Sequence, residues 1–79
     1  MNLEELDVFS AYKNAFGSLP DEEMIKVFAG ARANGMSERI IKVAIFVTQN
    51  DFERGYLKDK RPGKEVARRL RRMYKGGIR

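Results

Sequence analysis

The chain has 79 residues, 43% of them hydrophobic and 34% charged, which points to one ordered domain with a small core rather than a disordered chain. It contains no cysteine and no histidine, so disulfides, thiolate zinc sites, thiol nucleophiles and the usual general base are excluded. The net charge of +5 is uneven: residues 60–79 carry nine bases and one acid, net +8, while residues 1–59 carry seven bases and ten acids, net −3.

The opening stretch MNLEELDVF predicts a helix, with Asn2 as its cap and Glu5 completing a capping-box-like pair. Val8, Phe9, Tyr12 and Phe16 recur at helical spacing, and Gly17 ends the run. A second helix starts in GSLPDEEM, with Ser18 as cap and Pro20 in the first turn. Asp21, Glu22 and Glu23 complement its positive end. Met24, Val27, Phe28 and Ala31 form its apolar stripe, and Gly35 is the expected left-handed stop. Ser37 caps ERIIKVAIFVTQ. Six β-branched residues there favour strand over 38–48, but the length suits a nearly buried central helix. Ile40, Ile41, Val43, Ala44 and Val47 share its apolar face.

NDFERGYLKDK predicts a short fourth helix capped by Asn50 or Asp51 and anchored by Phe52 and Tyr56. KDKRPG is a loop, because Pro62 disfavours helix at Arg61. The last helix runs from near Pro62 to about Lys75. Gly76 and Gly77 end it, leaving 76–79 as a flexible basic tail. Val66, Ala67, Leu70, Met73 and Tyr74 fall on one side of that helix, and Lys64, Arg68, Arg69, Arg71, Arg72 and Lys75 on the other. The expected fold is all-α: a compact single-domain bundle of four to five short helices over 1–79. Its core is drawn from Phe9, Phe16, Val27, Phe28, Ile41, Val43, Val47, Leu57 and Leu70.

The basic end sets the functional expectation. A merely solvating face mixes both signs of charge, whereas only Glu65 interrupts this one. Lys58, Lys60, Arg61, Lys64, Arg68, Arg69, Arg71, Arg72 and Lys75 are the candidate phosphate contacts. The amides at RPGK form a candidate phosphate grip at the helix start. Nucleic acid is the expected partner, duplex DNA before RNA. An acidic protein surface is the alternative, as for a small inhibitor or adaptor. A homodimer fits paired half-sites, although no heptad is visible in the sequence.

Two stretches resemble helix-turn-helix patterns. In ARANGMSERIIKVA, Ala31, Gly35, Met36, Ile41 and Ala44 match, while Gly30 and Asn34 stand where apolar residues are usual. VTQNDFERGYLKDKRPGKEVARRL resembles the later half of a repressor-type domain, with Lys42 and Phe46 as departures. That second resemblance implies base contacts from Thr48, Gln49, Asn50 and Arg54, with Phe52 in the core. The small size, the absence of cysteine and histidine and the basic end suit a regulator of a phage or mobile element.

No catalytic residue, cofactor or metal ligand set is expected. Ser10, Ser18 and Ser37 have no histidine to activate them. The acids cluster where helix starts attract them. Gly63-Lys64 lacks the earlier glycine of a phosphate-binding loop. The longest apolar run, Val43 to Val47, is far below the ~20 residues of a membrane span. Residues 1–20 lack a signal peptide's basic start, so a cytoplasmic protein is expected.

Overall fold

Four α-helices make up the computed structural model, which describes residues 7–57 and 62–77: α1 (Val8–Phe16), α2 (Glu22–Ala33), α3 (Glu38–Glu53) and α4 (Pro62–Arg72). A wider π turn, Met73–Gly77, prolongs α4. The described residues contain no strand, as expected for an all-α bundle.

Local capping chemistry sets the boundaries, and at two helix starts it differs from the expectation. Asp7, not Asn2, caps α1: its backbone is extended and its carboxylate accepts the Ser10 amide at 2.7 Å. That bond lowers the Asp7 pKa, and the Lys42 charge adds to the effect. Asn2 and Glu5 lie outside the described residues. Asp21, not Ser18, caps α2, accepting the Met24 amide at 2.9 Å. At α2 an aspartate nearer the apolar run caps in place of the earlier serine. Ser37 caps α3 as expected, through the Ile40 amide. Gly35 takes φ 90° in the turn before it, a conformation that favours glycine.

The separate fourth helix does not form. α3 runs without a break through Asn50 and Asp51 to Glu53. Neither residue caps, because the i→i+4 ladder already satisfies the amides that a cap would serve. The second helix-turn-helix placement needs a turn before Thr48, so it falls with that helix. The first placement survives only as a corner: α2, a short turn, then α3.

The core is Val8, Ala11, Tyr12, Met24, Val27, Phe28, Ala31, Met36, Ile41, Ile45, Val66, Ala67 and Leu70. Val27, Phe28, Ile41 and Leu70 are where the sequence put them, and Phe16 packs at the edge. Leu57 is only half-buried. Phe9, Val43 and Val47 are corrected: they are 43%, 42% and 47% exposed. α3 is rotated from the expected orientation, burying Ile41, Lys42, Ile45 and Thr48. Its apolar residues span more of its circumference than its neighbours cover, so packing chooses which of them are buried.

α4 lies along α3 and closes on α1 and α2. Gly63 makes this approach possible, since a Cβ there would overlap the Tyr12 hydroxyl. Tyr12 is itself held by edge contacts to Phe16 and Phe28. Val66 and Leu70 are fully buried, so the predicted apolar face of α4 is the one that packs.

Candidate nucleic-acid interface

The bases of α4 divide into two groups once the neighbouring helices are in place. Arg69 is structural. Its guanidinium donates to Asp51 Oδ2 at 2.9 Å, to Glu65 Oε2 at 2.8 Å and to Thr48 Oγ1 at 3.3 Å. Two of those partners belong to α3, so Arg69 pins α4 to α3. It leaves the set of phosphate contacts, because its donors are already directed inward.

The second group faces outward. At about 100° per residue, Lys64, Arg68, Arg71 and Arg72 fall within an arc of about 100°, opposite Val66 and Leu70, and Lys75 follows in the π turn. Arg68 forms a two-pronged pair with Glu65, both bonds 2.8 Å, yet its side chain stays 62% exposed. Arg71 approaches Glu23 of α2 at 3.6 Å, with both groups in solvent. Such a pair is loose and exchangeable. Lys64, Arg72 and Lys75 are exposed and form no ion pair with another described residue. Hydrogen bonds from Arg68 hold the Glu65 carboxyl below the usual carboxylate range. Partial burial opposes them and the Arg69 bond adds to them.

The acids that temper this face are only partly visible in sequence. Glu65 is local, but Glu23 and Asp51 arrive from α2 and α3. Six bases then stand among three acids, net +3, where the helix alone reads +5. The expected phosphate grip at the start of α4 meets a further obstacle. Asp21 and Glu23 line the hollow of about 360 Å³ beside Gly63 and Lys64, and carboxylates there oppose an anion. Lys58, Lys60 and Arg61 lie outside the described residues.

The expected base contacts scatter. Thr48 is fully buried and donates its hydroxyl to the Ala44 carbonyl at 2.7 Å. It presents no surface to a base, a direct result of α3 continuing through it. Gln49 is half-buried, Asn50 is exposed on α3, and Arg54 is exposed just past its end. Phe52, expected in the core, is 37% exposed and Tyr56 is 70% exposed.

No group of three or more metal-ligating side chains exists among the described residues, and no described helix is long and apolar enough to cross a membrane. Comparison with protein-family models, with curated proteins and with solved structures finds no match to this chain.

Proposed function

We propose that this protein binds nucleic acid without catalysis, gripping the phosphate backbone of duplex DNA with the outer arc of α4. The supporting observation is the arc itself: four bases share one side of a helix whose opposite side is anchored in the core, and Lys75 follows in the π turn. Arginine and lysine at that spacing span about 16 Å along the helix, enough to reach several phosphates. Contacts of this kind position a protein on DNA without reading sequence. Asn50 and Arg54 remain as candidate base contacts, and a regulator or accessory factor is the role this suits. Two copies acting together would present two such arcs. The second reading is an adaptor that docks on an acidic protein surface. The fork between Arg68 and Glu65 supports it, since a partner's carboxylates would use the same geometry.

Fluorescence anisotropy with labelled duplex, single-stranded DNA and RNA tests the reading. Five neutralised phosphates predict a log–log salt slope of about −4.5 on duplex. Replacing Lys64, Arg72 and Lys75 together by alanine should reduce that slope by about 3 while leaving the fold intact. Duplex binding untouched by that variant refutes the arc. Absence of binding to any nucleic acid at low salt refutes the proposal and moves the search to acidic proteins.

A further inference from the structure

We propose that the outer face of α3 is a self-association surface on which a second copy of this chain packs antiparallel. The exposed line of α3 is Ile40, Val43, Val47 and Asn50, continued by Arg54 at its C-cap. Its spacing alternates three and four, the 3.5-residue repeat of a coiled-coil seam. Its three apolar members are 43%, 42% and 47% exposed. They line an open trough of about 330 Å³ beside Met73 of the π turn. Arg69 and Met73 border the trough and leave the line partly open. The sequence alone assigns Val43 and Val47 to the core, which hides the repeat.

Self-complementarity selects a second copy as the occupant. In an antiparallel pair centred between Val43 and Val47, each Val43 meets the partner's Val47, and the twofold repeats the contact. The flanking charges match as well. Arg39 and Glu53 are two heptads apart and lie within about 40° of each other on the helical wheel, so they share one edge of the seam. The twofold sets Arg39 against the partner's Glu53 and Glu53 against the partner's Arg39. A parallel pair would instead set each residue against its own kind. The seam is only about 21 Å long, which places the dimer in the weak, concentration-dependent class. The seam borders α4 at Arg69 and the π turn at Met73 and takes in Asn50, so in the dimer Asn50 faces the partner rather than a base, while the outward bases of α4 lie outside the seam.

Sedimentation equilibrium of the full chain, from about 5 to 500 μM, tests the proposal in the range where weak interfaces associate. The mass should rise from 9.1 kDa toward twice that value. Val43→Asp and Val47→Asp should each weaken association at least tenfold. Circular dichroism should remain unchanged for both, because both positions are on the surface. Arg39→Glu and Glu53→Arg should each weaken the dimer, and the double reversal should recover most of the loss, which identifies the antiparallel arrangement. Three results would overturn the proposal: a constant 9.1 kDa mass, a dimer indifferent to both valine substitutions, or a double reversal no tighter than the single ones.

Discussion

Replacing Arg69 by alanine should destabilise the fold and spare binding, while replacing Arg72 should spare the fold and weaken binding. Arg69 makes two charge-assisted hydrogen bonds, to Glu65 and Asp51, and a third bond to Thr48. A charge-assisted bond contributes roughly 1.5–3 kcal/mol when well shielded. The Arg69 and Asp51 side chains are each 27% exposed, so solvent screening takes about half of that. Together the bonds contribute about 2–3 kcal/mol. A domain of this size has a total stability of roughly 4–12 kcal/mol, so the thermal midpoint should fall by about 10–20 °C. A double-mutant cycle with Asp51→Ala should show a coupling of about 1 kcal/mol. Thermal melts and urea titrations, read by circular dichroism, give the stabilities. Anisotropy on duplex gives the affinities. Arg72 is exposed with no ion pair to a described residue, so Arg72→Ala should shift stability by less than about 0.5 kcal/mol. An Arg69→Ala protein that melts within about 2 °C of the parent would refute the division of the arginines. So would strict additivity with Asp51→Ala.

Two further outcomes follow from the packing and the ion pairs. Gly63→Ala should destabilise by about 1–3 kcal/mol through overlap with the Tyr12 hydroxyl. The same change in a Tyr12→Phe background should be close to neutral, since Cζ lies 3.6 Å from the added Cβ; chemical denaturation of the four proteins decides this. Acid should reveal Glu65. Its folded pKa is depressed, so its contribution is present above the unfolded value near 4.3–4.5 and is lost as pH falls through the folded one. Melting midpoints between about pH 6 and 2 should therefore fall less steeply for Glu65→Gln than for the parent, and parallel curves would contradict the assignment.

Local chemistry was legible in the chain itself. The 3.6-residue periodicity fixes the all-α class, Ser37 and Gly35 fix the junction between α2 and α3, and the clean separation of Val66 and Leu70 from the arginines fixes the packed face of α4. These features depend on neighbours within a few residues, so sequence suffices. The rotation of α3 was not legible. Its apolar residues cover most of its circumference, and α1 and α4 decide that Ile41 and Ile45 are buried while Val43 and Val47 meet solvent. The continuity of α3 through Asn50 was equally hidden, because a polar NDFE stretch reads as a cap or as a helix interior until packing chooses. The arginines show the same division. Sequence established that the last helix is basic and amphipathic. Only the tertiary structure brought Asp51 and Glu23 to it, separating Arg69, which holds α4 to α3, from Lys64, Arg72 and Lys75, which remain exposed. Charge along a chain is additive, but the field at a surface depends on which distant carboxylates folding places beside it.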